Sequence, residues 1–361
     1  MNQATSKTLL VMAGGTGGHV FPALATADLL REQGVHVEWL GTEKGIEARV
    51  VPAANIKLNT IPVTGLRGKG PLKLLTAPFN LLKALLAARK VIKQLQPDAV
   101  LGMGGFASGP GGLAAWLMGI PVVIHEQNAI PGMTNKVLAR TATRVLQAFP
   151  GAFSDCEAKD TIGNPVRGPI LELAEPAVRM QGRTGPIRLL VVGGSLGAQA
   201  INERVPAALA ELPEDQRPEV WHQTGPMHLK ATQTLYSSLG VNAQVVPFIE
   251  KMDEAFAWAD LVICRSGALT VSEIAIAGVA AVLVPFPFAV DDHQTANGQF
   301  LADAGAAELV QQDQLTTEKL LELLTRLNER ERLLSMAKLA RKQGKPDAGQ
   351  QLADVCLEVM A

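Results

Sequence analysis

Residues 9–19 read LLVMAGGTGGH, an apolar run that ends in a glycine-rich loop with one hydroxyl residue. The same pattern returns at residues 189–198 as LLVVGGSLGA, and Thr16 and Ser195 occupy equivalent places in the two loops. A glycine-rich turn between a buried strand and a helix leaves backbone N–H groups and the positive end of the helix open to a phosphate. The repeat therefore predicts two nucleotide-binding-type α/β domains that face each other across a cleft.

Length and composition support two domains with aliphatic cores. At roughly 150 residues per domain, a chain of 361 residues favours two. Hydrophobic residues make up 47% of the chain and aromatic residues only 4%, as expected for parallel sheets covered by helices. The formal net charge of −1 argues against a general nucleic-acid binder. Cys156, Cys264 and Cys356 show no metal or redox spacing and are expected to be buried, reduced thiols.

Strand-like and helix-like segments alternate along the chain, which is typical of a parallel α/β architecture. We predict a first domain over residues 1–168, a polar linker with glycine and proline over 169–186, and a second domain over 187–346. A last helix within residues 347–361 belongs either to the second domain or packs back on the first. Strands are predicted at residues 8–13, 35–40, 99–101, 122–125, 144–147, 187–192, 219–223, 243–246, 261–264 and 279–285, and a helix at 21–33.

Three segments bear on membranes. Residues 1–7 are polar and predict no signal peptide, while the uncharged stretch 99–124 is broken by glycine and proline and predicts no transmembrane helix. Residues 71–93 combine leucines with lysines and arginines, and no acidic residue occurs between Glu47 and Asp98. A basic apolar helix can lie on an anionic membrane surface. The alternative is an ordinary core-facing helix with a solvated basic side.

Six glycine-rich or polar loops follow predicted strands, where open α/β sheets bind ligands. His19 in the first loop can accept a proton near neutral pH, and four consecutive polar residues at 125–128 are costly to bury outside a site. Arg167 either clamps a phosphate or is a solvated loop residue. Asp291, Asp292 and His293 lack partners that would complete a metal site. The loops span residues 14–19, 102–110, 125–128, 163–167, 265–273 and 291–297.

One residue spacing and three missing sequence motifs narrow the range of expected activities. Thr270 and Glu273 have the spacing of a helix capping box; alternatively, this helix start faces a diphosphate and Glu273 accepts ribose hydroxyls. Neither glycine loop is followed by a P-loop lysine, so an ATPase or kinase is not expected. Neither loop has the complete dinucleotide-binding spacing, and no nucleophile-elbow motif occurs.

Taken together, the loops resemble those of one family. The phrases GGTGGHVFPALA (14–25), GMGGFASGP (102–110), HEQNAIPGMTN (125–135), CRSGALTVSE (264–273) and DDHQTAN (291–297) are similar to those of the bacterial N-acetylglucosaminyltransferases of peptidoglycan synthesis, in glycosyltransferase family 28. The resemblance implies the two-domain GT-B fold, with two Rossmann-like domains. It also implies transfer of N-acetylglucosamine from UDP-N-acetylglucosamine to the muramoyl 4-hydroxyl of undecaprenyl-diphospho-N-acetylmuramoyl-pentapeptide, with inversion.

The resemblance also implies where the enzyme works. Its lipid-linked acceptor stays in the bilayer, so we expect a peripheral protein at the cytoplasmic face of the inner membrane, with other cell-wall synthesis proteins as candidate partners. The basic apolar segment 67–93 would then contact anionic lipid. Leaving-group charge would be stabilised by Arg167 and helix N-termini, so no metal and no cofactor is expected.

Residue roles carried over from the family complete the expectation. The general base is His19 as first candidate and Glu126 as second, because an alcohol needs its proton removed before it attacks. The donor's diphosphate would lie near Ser195 and Arg167, and uracil on the backbone around Ile249. The remaining substrate-binding residues would be Thr16, Gly17, Gly18, Asn128, Gln294 and, at one helix start, Ala268, Leu269, Thr270, Val271, Ser272 and Glu273.

Three other functions compete with this expectation. A UDP-N-acetylglucosamine epimerase shares the fold and the donor, but it needs no lipid acceptor. A non-catalytic sugar-nucleotide-binding subunit is disfavoured by the complete set of polar loop residues. A dehydrogenase is disfavoured by the spacing of the first glycine loop.

Overall fold

The computed structural model describes residues 7–63, 71–154 and 159–361. These residues form two compact units, Met1–Val166 with Pro346–Ala361, and Arg167–Lys345. The segment predicted as a linker, residues 169–186, instead contains short helices and groups with the second unit. Cys156 lies outside the described residues.

The elements alternate through both units. The strands are β1 Thr8–Ala13, β2 His36–Gly41, β3 Lys57–Thr60, β4 Ala99–Gly104, β5 Val122–Glu126, β6 Arg144–Gln147, β7 Lys159–Thr161, β8 Arg188–Val192, β9 Glu219–Gln223, β10 Gln244–Val246, β11 Leu261–Cys264, β12 Ala280–Leu283 and β13 Ala307–Leu309. The helices are α1 Gly17–Glu32, α2 Glu47–Ala53, α3 Pro71–Leu95, α4 Ser108–Leu117, α5 Met133–Leu138, α6 Gly168–Leu171, α7 Pro176–Met180, α8 Gln199–Glu211, α9 Leu229–Ser238, α10 Met252–Trp258, α11 Ala268–Ala277, α12 His293–Asp303, α13 Thr317–Arg326, α14 Arg330–Gln343 and α15 Ala348–Val359.

Each unit is built on one parallel sheet. The first unit has seven strands in the order β3-β2-β1-β4-β5-β6-β7, and the second has six in the order β10-β9-β8-β11-β12-β13. Neighbouring strands pair in parallel, as in β1 with β2 and β8 with β9. Because all the strands in a sheet run the same way, the loops after them lie along the same edge, where such sheets bind ligands.

The sheets are buried between helices, as their apolar strands require. In the first unit Leu9 and Val11 of β1 are fully buried with residues of α1. Helix α15 packs against α1 and contributes Leu352 and Cys356 to this core. The thiols of Cys264 and Cys356 are free and buried, and burial raises the pKa of each to about 12.

Differences from the predicted elements have simple causes. Strands β3, β7 and β13 were not predicted because they are short, partly polar and located at sheet edges. The helix expected at residues 21–33 begins four residues earlier, at Gly17. The N–H groups of a first helical turn have no intrahelical acceptor, so glycines are tolerated there. Among the residues that the structure describes, no helix has the length and apolar character needed to cross a bilayer.

Candidate active site

The first glycine loop rests on a buried carboxylate. Gly15 N–H donates to Glu47 Oε2 over 3.0 Å, and Glu47 Oε1 accepts from the backbone N–H and the hydroxyl of Thr42 at 3.1 and 2.7 Å. Burial alone would raise the pKa of Glu47, but these hydrogen bonds hold it below its usual value. Glu47 is 0% exposed, so a negative charge lies beneath the Gly14–Gly15 turn. No motif marked Glu47 in the sequence; its signal was only a polar segment after a buried strand.

His19 stands in the first turn of α1 and is held by Gln127. Its Nδ1 lies 2.7 Å from Gln127 Oε1. Gln127 Nε2 lies 3.0 Å from both Nδ1 and the carbonyl oxygen of His125, and His125 Nε2 lies 2.8 Å from the carbonyl oxygen of Gly163. A Cβ at Gly104 would lie 3.0 Å from the His19 ring, so the ring packs on the backbone there. The structure thus brings His19 to the 125–128 loop.

Glu126, the second candidate base, anchors its own loop. It is 1% exposed. Its Oε1 accepts from the backbone and side-chain N–H groups of Asn128 at 3.0 and 3.1 Å. Its Oε2 accepts from Gly132 N–H and Asn135 Nδ2 at 3.1 and 2.9 Å. A carboxylate that already accepts four hydrogen bonds within the protein is poorly placed to take a proton from a substrate.

The second glycine loop rests on a neutral amide. Gln223 Oε1 accepts from Gly194 N–H at 3.0 Å, while Gln223 Nε2 donates to the carbonyl oxygens of Gly194 and Pro247 at 3.0 and 2.9 Å. One side chain therefore joins the loop that carries Ser195 to the segment that carries Ile249. The Ser195 side chain is exposed, and α8 begins after Ala198 without a side-chain cap.

A buried polar network supports the same loop from below. His222 Nδ1 lies 2.9 Å from the Tyr236 hydroxyl, and its Nε2 lies 3.0 Å from Asn202 Oδ1. Asn202 Nδ2 donates to the carbonyl oxygen of Thr224 at 3.0 Å. Burial lowers the pKa of His222 to about 3. A Cβ at Gly197 would lie 2.2 Å from the Thr224 carbonyl oxygen, so only glycine fits where the loop crosses Thr224.

The capping box, one of the two alternatives for Thr270 and Glu273, is not formed. Helix α11 begins at Ala268 with Gly267 as its N-cap and without a side-chain cap. Glu273 therefore lies beyond the first turn, where it cannot reach back to the N-cap. Its Oε1 instead accepts from Arg167 Nη2 at 2.8 Å. Burial raises the pKa of Glu273, and Arg167 opposes this shift.

The start of α11 presents both backbone and side chains. Ala268 and Val271 are buried, so a ligand could meet only their backbone atoms, and the Val271 N–H also donates to the Gly267 carbonyl oxygen at 2.9 Å. Leu269, Thr270 and Ser272 are half-buried. Asn297 Nδ2 of α12 donates to the Ser266 carbonyl oxygen at 3.3 Å, which ties α12 to this helix start.

Gln294, predicted to contact the sugar, braces the loop after β12. Its Oε1 accepts from Phe286 N–H at 2.9 Å. Asp291 and Asp292 just before it adopt positive φ values of 52° and 53°, which are uncommon for residues other than glycine. Within the described ranges, no three His, Cys, Asp or Glu side chains are grouped as metal ligands would be.

Comparison with known proteins gives a consistent result over the whole chain. Family models described as the N-terminal and C-terminal domains of glycosyltransferase family 28 match residues 9–147 and 188–352. A protein of Marinobacter nauticus is 55% identical over 359 residues, 99% of each chain, and one of Cellvibrio japonicus is 56% identical over 356 residues, 98% of each. Both are named UDP-N-acetylglucosamine–N-acetylmuramyl-(pentapeptide) pyrophosphoryl-undecaprenol N-acetylglucosamine transferase.

Solved structures agree with these matches. The crystal structure of MurG from Acinetobacter baumannii has a TM-score of 0.87 at 47% identity, covering 98% of this chain and 99% of that one. A UDP-GlcNAc 2-epimerase from Neisseria meningitidis has a TM-score of 0.66 at 14% identity, covering 98% and 100%. At that identity the likeness to the epimerase concerns the fold alone.

Proposed function

The chain belongs to glycosyltransferase family 28, and we propose that it transfers N-acetylglucosamine from UDP-N-acetylglucosamine to the muramoyl 4-hydroxyl of undecaprenyl-diphospho-N-acetylmuramoyl-pentapeptide, with inversion. Full-length relatives at 55% and 56% identity carry the name of this transferase. The predicted fold, an α/β protein with the two-domain GT-B architecture of glycosyltransferases, is confirmed by the two family models and by the MurG structure. Within the structure, the observation that carries the proposal is the different charge beneath the two glycine loops.

The donor is assigned to the second unit because the side chain that supports its glycine loop is the neutral amide of Gln223. Gln223 supports the turn with a neutral amide, so an anion near Ser195 meets no buried negative charge from this residue. Arg167 offers a cation whose side chain is 45% exposed, and the uncapped starts of α8 and α11 add N–H groups. Uracil would lie on the backbone around Ile249, which Gln223 ties to the loop through Pro247.

Glu273 would contact the ribose hydroxyls of the donor. Its Oε1 is held by Arg167, which orients the carboxylate and leaves Oε2 to accept hydroxyl hydrogens. Thr270 and Ser272, half-buried on α11, would contact the phosphates together with the backbone at Ala268, Leu269 and Val271. As UDP leaves, Arg167 and the helix N-termini would stabilise the charge that develops on its diphosphate.

His19 is the base in this proposal. The acceptor hydroxyl attacks the anomeric carbon as the bond to UDP breaks, and the hydroxyl proton passes to the imidazole. His19 is half-buried and has one ring nitrogen engaged by Gln127, whereas Glu126 is buried with four donors on its oxygens. Thr16, Gly17 and Gly18 would line the acceptor side, and Asn128 and Gln294 would contact sugar hydroxyls.

Helix α3 supports contact with a membrane surface. Ala84, Ala88 and Ile92 are buried against the first unit, whereas Phe79, Leu82 and Leu86 are 76%, 53% and 56% exposed. The exposed apolar positions follow helical spacing and so share one face. Lysines and arginines accompany this face at Lys83, Arg89, Lys90 and Lys93. Residues 67–70 of the predicted basic segment 67–93 lie outside the described residues.

An exposed apolar face flanked by cations fits insertion into an anionic lipid interface. The other interpretation, an ordinary helix with a solvated basic side, accounts for the buried face but not for the exposed Phe79 and leucines. We therefore place the enzyme peripherally at the cytoplasmic face of the inner membrane, where its lipid-linked acceptor would be reached.

Release of UDP from UDP-N-acetylglucosamine tests the proposed reaction. It is measured with and without the lipid-diphospho-muramoyl-pentapeptide, together with the anomeric configuration of the product. Release that requires the acceptor, with a β-linked disaccharide formed, is the expected result. Release without acceptor indicates an epimerase or hydrolase. Donor binding without release in either condition indicates a recruiting subunit, and both results contradict the proposal.

A further inference from the structure

A continuous chain of hydrogen bonds runs from a backbone carbonyl at Gly163 through His125 and Gln127 to His19. We propose that Gln127 is a positioning residue that fixes the tautomer of His19, with the proton on Nδ1 and the lone pair on Nε2. This inference rests on the proposed function, in which His19 accepts the proton of the attacking hydroxyl. Gln127 itself touches no reacting atom.

The donor and acceptor of each hydrogen bond in this series follow from its buried end, at Gly163. A backbone carbonyl only accepts hydrogen bonds, so the 2.8 Å contact at Gly163 requires a proton on His125 Nε2. His125 is 0% exposed, and burial lowers its pKa to about 4. The ring is therefore neutral near pH 7, and its Nδ1 carries a lone pair.

The orientation of the Gln127 amide follows from this. A lone pair on His125 Nδ1 needs a donor, so the NH₂ group of Gln127 faces it. The second N–H of that group donates to the carbonyl oxygen of His125 at 3.0 Å. Two acceptors, one of them a backbone carbonyl, thus fix the nitrogen end of the amide on the His125 side.

The oxygen end of Gln127 then determines the state of His19. Gln127 Oε1 only accepts, so the 2.7 Å contact requires the proton of neutral His19 on Nδ1. The other nitrogen, Nε2, carries the lone pair that a general base needs. In the serine protease triad, a side chain on the second histidine nitrogen likewise selects the productive tautomer, though there it is a carboxylate.

The neutral amide of Gln127 affects the protonation of His19 differently from a carboxylate at the same position. A carboxylate would favour the protonated imidazole, and a protonated imidazole has no lone pair with which to start the reaction. The amide selects the tautomer without adding charge. Titratable side chains on the surrounding elements include His125 and Glu126 on β5 and Glu47 and the exposed Arg49 on α2, and the carboxylates of Glu126 and Glu47 are engaged by other donors.

The direct test is ¹⁵N NMR of the full-length protein labelled at its histidine rings, at neutral pH, with His19→Ala used for assignment. In the wild type, we expect His19 Nδ1 to be protonated and Nε2 to be unprotonated. Gln127→Leu should release this preference and give a mixture of tautomers, whereas Gln127→Glu should restore the proton on Nδ1. A wild-type spectrum with the proton on Nε2, or an unchanged tautomer in Gln127→Leu, overturns the inference.

Gln147→Leu is the matched control. Gln147 is a buried glutamine on the neighbouring strand β6, paired in register with Glu126. Its side chain contacts Thr161 and Phe153 N–H at 2.8 and 3.0 Å. This variant loses similar buried hydrogen bonds but should leave the His19 tautomer unchanged, so general destabilisation is separated from positioning. If Gln127→Leu does not fold, the wild-type spectrum alone still decides the question.

Kinetics supply the second readout. Gln127→Leu should lower kcat about tenfold or more, within the contribution of a general base, without raising KM for UDP-N-acetylglucosamine. Gln127→Glu should retain more activity than Gln127→Leu, with the acid limb of its pH–rate profile moved to higher pH. An equal loss in Gln147→Leu contradicts a positioning role. Because the NMR test uses no substrate, failure of the tautomer assignment is distinguishable from a wild type that transfers no sugar, which would contradict the proposed function instead.

Discussion

The two glycine-rich loops occupy the same place in their sheets but are supported by groups of different charge. In the first unit, the N–H of Gly15 donates to the carboxylate of Glu47. In the second, the N–H of Gly194 donates to the amide oxygen of Gln223. Glu47 lies in α2, which follows β2, and β2 lies beside β1. Gln223 is the last residue of β9, which lies beside β8.

This difference in charge indicates that the two similar loops bind different groups. Exposed backbone N–H groups favour an anion in both loops, but a buried carboxylate beneath one of them opposes it. The loop over Gln223 is thus the better site for a nucleotide diphosphate. The loop over Glu47 leads instead into the turn that carries His19. The distinction depends on a single buried side chain in each unit.

The largest effect is expected on removal of the proposed base, which follows the first loop. His19→Ala should lower kcat by about 100-fold or more, the usual contribution of a general base, while KM for UDP-N-acetylglucosamine changes little. Steady-state UDP release measures both constants. His36→Ala, at a histidine whose side chain is 55% exposed in the same unit, should change neither. Loss of donor binding in His19→Ala with kcat retained would assign the first loop to the donor instead.

A second change tests whether the first unit also meets the lipid. Lys83→Glu with Lys90→Glu should weaken binding to anionic vesicles by at least about 30-fold, because each basic residue near such a surface contributes about 1 kcal/mol. Affinity for UDP should not change. Co-sedimentation with vesicles containing phosphatidylglycerol measures the effect.

Lys230→Glu with Lys338→Glu carries the same net charge in the second unit and is the control for that experiment. Both lysines are exposed, and this pair should leave vesicle binding within a few-fold of the wild type. Equal losses in the two double variants would mean that overall charge, rather than α3, governs the interaction.

Substitution of Gln223, which supports the second loop, tests directly whether the charge beneath the loop affects binding. Gln223→Glu places a carboxylate beneath Gly194 and should weaken UDP binding about tenfold or more, since like charges repel strongly where water is excluded. Titration calorimetry with UDP measures this change. Gln223→Leu removes the same hydrogen bonds without adding charge and should lose less affinity. Equal losses in both variants would show that loop geometry, not charge, matters.

The smallest effect is expected for stability in the first loop. Glu47→Gln should lower the free energy of opening of the first unit at pH 7 by about 1.5–3 kcal/mol, the usual range for hydrogen bonds to a charged group. The pKa of Glu47 is lowered in the folded protein from 4.5. The stability it adds is therefore complete above pH 4.5 and is lost as the pH falls through the folded value.

Hydrogen exchange on peptides of the first unit, at pH 7 and near pH 4, measures this difference between wild type and variant. The difference should shrink at the lower pH. Glu43→Gln, at an exposed position in the same segment, should change exchange at neither pH. A difference that stays constant with pH would mean that Glu47 is already protonated in the folded protein.

Sequence reasoning located the strands and loops because parallel α/β sheets have strong local signals. Strands β6, β9 and β11 have the predicted bounds, and β11 is an uninterrupted apolar run, LVIC, followed by polar and glycine residues. Edge strands such as β7 escaped prediction because three residues, KDT, carry no apolar pattern. The resemblance to glycosyltransferase family 28 is confirmed over both units.

The parts of the site that sequence reasoning missed depend on contacts between distant segments. Gly15 meets Glu47 from 32 positions away, and Arg167 meets Glu273 from 106 positions away. The S/T-x-x-E spacing at Thr270 and Glu273 was compatible with a capping box and with a ligand-binding helix start; because the helix begins at Ala268, the capping box is not formed. The charge beneath a loop likewise cannot be predicted from the sequence until the fold shows which side chain is buried there.

A crystal structure of this protein with UDP would show directly which glycine-rich loop binds the diphosphate. We expect the diphosphate at the second loop, within hydrogen-bond distance of the Ser195 region and near Arg167, with uracil beside the backbone at Ile249. A diphosphate bound instead at Gly15–Gly18, above the Glu47 carboxylate, would contradict it.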